Sequence, residues 1–162
     1  MKKKAVRYFL VFGFLFSFFL ATGQSQIDKT ACIKAMASGN VSQIDVLQKQ
    51  LQKISGTEKE AYEGALLMRK AETLAVPAKK LTLFKKGHKK LETAILNAPS
   101  NTEFRFLRLM VQEHAPKNLG YNKNIIQDAE LIKTNYKSLS AAMQTQISDY
   151  SKNSKALKDI NN

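Results

Sequence analysis

The chain has 162 residues, with 26 Lys or Arg, 13 Asp or Glu and a formal net charge of +13. A length of this order is typical of one compact domain with a single core. A charge of this size bears on solubility and association, not on fold, so the lysine excess alone does not indicate a nucleic-acid binder. The chain has one cysteine, which excludes an internal disulfide.

The N-terminal 23 residues have the layout of a secretory signal peptide. Four basic residues precede an apolar run over 8–20, and small residues follow at Ala21 and Gly23. The run is shorter than the roughly 20 residues that cross a bilayer as a helix. We therefore expect residues 1–23 to be a signal peptide, with a retained N-terminal anchor as the alternative. The protein is then exported, either to the periplasm or to the medium.

The exported part, residues 24–162, is predicted to form a single helical domain with its core at about 57–150. Removing the leader lowers the formal net charge from +13 to +9, because the leader carries four basic residues and no acidic residue. Apolar residues recur with helical spacing, and few stretches show the alternation of strands. The pattern predicts an all-α protein of about seven helices, which short links arrange as antiparallel hairpins in an array or bundle.

The first three predicted helices occupy residues 27–76. The first helix ends at Gly39, because glycine readily adopts the left-handed conformation that terminates helices. Ser42 is expected to cap the second helix. Thr57-x-x-Glu60 has the spacing of a capping box and starts the third helix, over 58–76. That helix is apolar over most of its circumference, so we expect neighbours on several of its sides.

The fourth helix is the clearest amphipathic segment, starting after Pro77 and ending before Pro99. Lysines crowd its polar arc in like-charge pairs four residues apart, an arrangement that is unfavourable on an isolated helix. One interpretation is a positive ridge that binds anionic lipid headgroups or acidic glycans, and the other is a solvated outer face. The residues of this predicted polyanion site are Lys79, Lys85, Lys86, Lys89 and Lys90.

The fifth helix, over 102–114, is predicted to start at a second capping-box spacing, Ser100-x-x-Glu103. It is apolar except for one polar stripe. Arginines on such a stripe could line a groove and hold the carboxylates of a partner in two-pronged hydrogen bonds. The alternative is that they pair with acidic residues of this same chain. The predicted partner-binding stripe consists of Arg105, Arg108 and Gln112.

A loop, two further helices and a tail complete the prediction. Pro116 and Gly120 mark the loop, and Asn122 is expected to cap the sixth helix. The seventh helix is expected to start near Ser138 or Ser140. Beyond residue 151 the chain is polar, so we expect the tail to fray.

The fourth helix resembles the second helix of a tetratricopeptide (TPR) repeat. Gly87-x-x-x-Leu91-x-x-Ala94 followed by Pro99 has the spacing of that unit, in which small residues let two helices approach closely. Pro77 interrupts a stretch where a standard repeat stays helical. We therefore describe the chain as TPR-like, with one convincing half-repeat.

The stretch over 61–150 also resembles a family of small exported proteins from Bacteroidetes-type bacteria, a family with no assigned activity. The resemblance implies an exported, all-helical protein and no particular chemistry. Three short segments carry it, namely Phe104-Arg105-Phe106-Leu107-Arg108, Ala115-Pro116 and Leu119-Gly120-Tyr121-Asn122.

The sequence carries no recognisable catalytic motif. A glycine-rich phosphate loop, a Gly-x-Ser-x-Gly elbow and a His-Glu-x-x-His pair are all missing from it. His88 and His114 fall on different helices without metal-ligand spacing, so we expect no metal and no cofactor. Cys32 is expected to be a buried thiol, although a pair formed by Cys32 and a histidine stays open as a route to an enzyme. We expect the protein not to be an enzyme.

These observations favour an exported, non-catalytic protein-interaction module whose partner is another envelope or secreted protein. Arg105 and Arg108 are the expected contacts. The alternative is a peripheral binder of anionic envelope components through the lysines of the fourth helix. No specific nucleic-acid partner is expected, because the chain has no tryptophan and few aromatic residues lie among these lysines. After cleavage of the leader we expect no transmembrane segment.

Overall fold

The computed structural model describes residues 26–116 and 119–160, and all regular structure in these ranges is helical. The finding confirms an all-α fold with about seven helices. The predicted signal peptide, residues 1–23, lies outside the described residues. A 3₁₀ turn, Tyr136–Ser138, lies between the last two α-helices. The α-helices are α1 (Lys29–Ser38), α2 (Val41–Leu51), α3 (Thr57–Glu72), α4 (Pro77–Asn97), α5 (Thr102–His114), α6 (Ile125–Asn135) and α7 (Ala141–Ser151).

Helix α3 occupies the centre of the fold, as its apolar circumference predicts. It packs against α1, α2, α4 and α5, and its contact with α4 is the most extensive between any two helices described. The backbones meet where Gly64 faces Gly87. A Cβ atom on Gly87 would lie 2.5 Å from the Gly64 carbonyl oxygen, so neither position has room for a side chain. This is the close approach expected for Gly87, while membership of the TPR class stays a prediction.

The N-terminal caps of two helices are asparagines close to the expected serines, one of them two residues earlier and the other one residue later. Asn40, rather than Ser42, caps α2, and Asn101, rather than Ser100, caps α5. Each asparagine accepts a hydrogen bond from the backbone N–H three residues on, at 3.1 Å. Asparagine is at least as good a cap as serine, and it is the capping residue in both places. The sixth helix also starts later than predicted, with Asn124 rather than Asn122 at its N-cap position.

Neither predicted capping box forms. Gly56 occupies the N-cap position of α3 and supplies no side-chain hydrogen bond. The Glu60 carboxylate instead binds Lys59 at 2.9 Å and Lys90 at 2.7 Å. In α5, Glu103 binds Lys29 at 2.8 Å. Basic residues outnumber acidic ones by two to one, and here the lysines hold the carboxylates that a capping box requires.

The C-terminal segment is packed, so the expectation of a frayed tail is wrong. Its Leu157 is fully buried in the core, and Ile27, just before α1, is buried there as well. The core therefore extends beyond the expected residues 57–150. The Glu113 carboxylate holds the segment in place. It accepts hydrogen bonds from the Tyr150 and Ser154 hydroxyls, both at 2.9 Å, and from two backbone N–H groups, those of residues 155 and 156, at 3.1 and 3.2 Å. We call this arrangement the Glu113 latch.

Candidate binding surfaces

The arginine stripe of α5 lies inside an ion network of the chain itself. Arg108 is 4% exposed and Asp128, in the first turn of α6, is 0% exposed. The Nε and Nη2 atoms of Arg108 donate to the two Asp128 oxygens, both at 2.7 Å, and Nη1 donates to Glu92 at 2.9 Å. Burial acts to lower the pKa of Arg108, but the hydrogen bond and charge of Asp128, with Glu92, raise it above its ordinary value. Each of the three nitrogen atoms of the guanidinium thus forms a hydrogen bond within the fold.

Arg105 belongs to the same network. Its Nη1 atom lies 3.2 Å from Asp128, while Nε and Nη2 donate to the Pro99 carbonyl oxygen at 3.0 and 2.8 Å. The Tyr121 hydroxyl donates to Glu92 and ties the loop before α6 to α4. The structure therefore places both arginines in the internal pairing that was the alternative to partner contact. We do not carry them forward as contacts for a partner.

The acidic members of this network escape sequence reasoning for different reasons. Helical spacing places Glu92 on the polar arc of α4 with the lysines, yet it is half-buried and points to Arg108 and Tyr121. Asp128 leaves a readable signal, because it falls on the apolar stripe of α6 with Ile125 and Ile132. An acid on an apolar stripe indicates a buried carboxylate that needs a basic partner.

Gln112, the third residue of the predicted stripe, has a different environment. It is 2% exposed, and neither Oε1 nor Nε2 has a hydrogen-bond partner among the described residues. It lines a surface groove of about 860 Å³, which we call the polar groove. Residues from α1, the end of α5, the start of α6, α7 and the C-terminal segment form its walls, including Ile33, Lys34, Gln112, Ile126, Gln146, Tyr150 and Lys155.

The rim of the polar groove is weakly basic. Lys34 and Lys155 are exposed there, and neither forms a side-chain ion pair within the described ranges. Asp149, also on the rim, is paired with Lys152 at 2.7 Å. The carboxylate of Glu113 is held by the latch, where burial first and then its charge raise the pKa of the Tyr150 hydroxyl. The groove thus presents two lysines without an ion pair at its edge, of which Lys34 lies within electrostatic reach of Asp149, and uncharged polar and apolar groups on its walls.

The lysine arc of α4 is exposed, with one exception. Lys79, Lys85, Lys86 and Lys89 point to solvent, and none of them forms an ion pair among the residues described. We call these four residues the lysine face. Lys90 is not part of it, because its ammonium group turns towards α3 and binds Glu60 at 2.7 Å and Glu63 at 3.2 Å.

The lysine face carries no acidic side chain. The exposed residues of α4 are Ala, Lys, Leu, Thr, Pro and Asn only, since Glu92, the one acid in its sequence, is turned inward. Lys59 and Lys90, which lie between α3 and α4, are paired with acids of α3, while the lysines of the outer face form no ion pair among the described residues. The result is a positively charged strip about 15 Å long from Lys79 to Lys89, at 1.5 Å per residue.

The other candidate groups do not form a reactive centre. Cys32 is buried on α1, as expected, and burial raises the pKa of its thiol to about 12. It does not line the polar groove with His114, whose Nδ1 lies 2.8 Å from the Met110 carbonyl oxygen. His88 packs against Phe84 and, edge-on at 4.9 Å, against the ring of Tyr121. Among the described residues no group of three or more His, Cys, Asp or Glu is placed to hold a metal ion.

A membrane-spanning helix is also not found in the described part of the chain, where none is long and apolar enough. No protein-family model matches the chain, and neither a curated protein nor a solved structure matches it. The resemblance to exported helical proteins of Bacteroidetes-type bacteria therefore stays a prediction. The polar groove and the lysine face are the two surfaces that bear on function.

Proposed function

We propose that the protein is an exported, non-catalytic interaction module that binds a segment of another envelope or secreted protein in the polar groove. The observation that carries the proposal is Gln112, whose buried amide has no partner among the described residues. Both polar atoms of the amide are closed to solvent, so a ligand in the groove would supply the missing hydrogen bonds after the side chain turns outward.

A buried amide without partners is unfavourable, by about 1–3 kcal/mol for each unsatisfied group. Methionine has nearly the same length and would avoid this cost. A peptide bond offers one donor and one acceptor, which is what a glutamine amide needs. The free charges of Lys34 and Lys155 at the rim favour a segment that carries Asp or Glu. These features support an acidic peptide segment as the ligand of the groove.

Stability and binding should respond to Gln112→Met in opposite directions. We expect the free energy of unfolding to rise by about 1 kcal/mol in urea titrations, because a buried unpaired amide is removed. The matched control is Gln48→Met on α2. Gln48 is half-buried, its Nε2 also lacks a partner among the described residues, and it lies outside the groove. A loss of stability in Gln112→Met would mean that the amide serves the fold itself.

Binding is tested with a phage-displayed library of random dodecapeptides selected on the leaderless protein. We expect acidic peptides to be enriched, and to bind Gln112→Met at least about tenfold more weakly, since one good hydrogen-bonded group is worth about 1.4 kcal/mol. Gln48→Met should bind them as the wild type does. If no peptide is enriched, or if all three proteins bind the enriched peptides equally, the groove is not the binding site.

A second candidate function is peripheral binding of an anionic envelope component through the lysine face. The observation that favours it is the absence of any acidic side chain on the exposed side of α4. Four unneutralised lysines on one helix attract a polyanion over a distance set by the ionic strength. Binding to heparin-agarose, a sulfated glycan, should therefore weaken steeply as salt rises. Retention that does not depend on salt would contradict this candidate.

A further inference from the structure

The exposed side of α4 also presents two large apolar residues. Leu81 is 43% exposed and Leu96 is 78% exposed. Helical spacing places Leu81 on the same apolar arc as Phe84 and Leu91, yet its side chain is exposed. We propose that the outer face of α4 docks on a lipid bilayer with anionic headgroups, an inference that rests on the second candidate function and names its target.

The placement of the leucines relative to the lysines carries the proposal. Leu81 and Leu96 lie about 22 Å apart along the helix axis, at 1.5 Å per residue. Projected at 100° per residue, they fall within the same arc of about 80° as Lys85 and Lys89. Leu81 thus lies within the basic strip, between Lys79 and Lys85, and Leu96 lies about two turns beyond Lys89. A surface that buries the strip buries both leucines with it.

A bilayer matches both parts of this face. Anionic headgroups attract the lysines, whose long stems lie along an apolar surface while the ammonium groups stay in water. The leucines gain by entering the boundary between headgroups and acyl chains. An acidic glycan would neutralise the lysines equally well but would give the leucines no apolar environment. The inner face of α4 stays packed on α3, so the docking is peripheral.

The test uses vesicles of phosphatidylcholine with about 30% phosphatidylglycerol, and pure phosphatidylcholine vesicles beside them. Co-sedimentation of the leaderless protein at low salt gives the partition coefficient. We expect binding to the anionic vesicles only. Replacing the four residues of the lysine face by Gln should lower the partition coefficient at least about a hundredfold. A control variant with the same loss of charge replaces four exposed lysines on α2, on α6 and in the turns that follow these helices, which are Lys49, Lys53, Lys133 and Lys137.

The leucines separate lipid from other polyanions. Leu81→Ser with Leu96→Ser should lower vesicle binding about tenfold and leave retention on heparin-agarose unchanged. Val46→Ser, at an exposed apolar residue of α2, is the matched control and should change neither. An environment-sensitive fluorophore attached at Leu96→Cys should shift to the blue on vesicle binding, whereas one at Val46→Cys should not. Buried Cys32 should not compete for the label.

The outcomes distinguish the inference from the function on which it rests. Retention on heparin without vesicle binding overturns the lipid proposal and leaves the polyanion candidate standing. Failure in both assays removes both. Equal loss of vesicle binding in the lysine-face variant and in its charge-matched control means that total charge, not α4, is responsible, and this also overturns the proposal.

Discussion

Substitution of Asp128 by asparagine tests whether the buried network holds α6 against α5. The change keeps the shape of the side chain but removes its charge, and it turns an N–H₂ group towards guanidinium donors. Asp128 accepts hydrogen bonds from three nitrogen atoms, two of Arg108 and one of Arg105. Each of them would lose a charged acceptor in a place where water does not enter.

The expected loss follows from what remains after the change. Breaking a buried ion pair by removing one partner is unfavourable by about 3–5 kcal/mol. Arg108 keeps its bond to Glu92, and Arg105 keeps the Pro99 carbonyl oxygen. The lower end of the range therefore applies, and we expect the free energy of unfolding to fall by about 3 kcal/mol. For a domain of this size the melting temperature should fall by about 10 °C.

Urea titration followed by circular dichroism measures the change, with an unchanged m value as evidence that the same structure unfolds. Asp149→Asn is the control, because Asp149 and Lys152 form a solvent-exposed pair on α7. Such pairs contribute little, so the control should unfold as the wild type does. If Asp128→Asn stays within about 1 kcal/mol of the wild type, the carboxylate is not the centre of a buried network and the reasoning is refuted.

Three further predictions concern single side chains. Glu113→Gln turns amide hydrogens towards the donors of the C-terminal segment, so trypsin should cleave that segment about tenfold faster; an unchanged rate in intact-mass measurements contradicts the latch. Cys32, with a pKa of about 12, should resist Ellman's reagent in the native protein and react fully in guanidinium; rapid native labelling contradicts its burial. Hydrogen bonds from Lys90 and then Lys59 lower the pKa of Glu60 below its ordinary value of 4.5. The stability that these bonds provide is therefore present above pH 4.5, and it is lost as the pH falls through the pKa of the folded state. Lys90→Met should therefore reduce the loss of stability between about pH 5 and pH 3, and an undiminished loss contradicts the pairing.

Apolar spacing predicted the helices because burial repeats along a helix and is visible in one segment at a time. The circumference of α3 placed that helix at the centre, and Gly39 marked the end of α1 through its left-handed backbone. Caps were harder to place, since Asn40 and Ser42 are both good capping residues and only the surrounding chain decides between them. The packed tail was missed because its polar composition indicated fraying, and because the Glu113 carboxylate that holds it lies on another helix.

Ion pairs between different helices cannot be predicted from the spacing of residues in the sequence. Arg69 and Glu72 lie one turn apart on α3, a spacing that predicts an ion pair, and the pair is present. Arg108 and Asp128 are 20 residues apart and meet only because α6 folds back on α5. Spacing rules report partners on one helix, so the same reasoning that found the first pair left the second open. Gln112 lines the polar groove and its amide has no partner among the described residues, so its role in binding stays a prediction.

The net charge alone does not indicate a binding site on α4, but the distribution of charge favours one at the lysine face. The acids Glu60, Glu63, Glu92 and Asp128 are bound to basic side chains between helices, so they do not screen the outside of α4. The field at that face is therefore set by its own four lysines and not by the average over the molecule. Salt should then weaken vesicle binding of the wild type and of the charge-matched control alike. Salt should have little effect on the lysine-face variant, whose vesicle binding is already weak, even though this variant and its control have the same net charge.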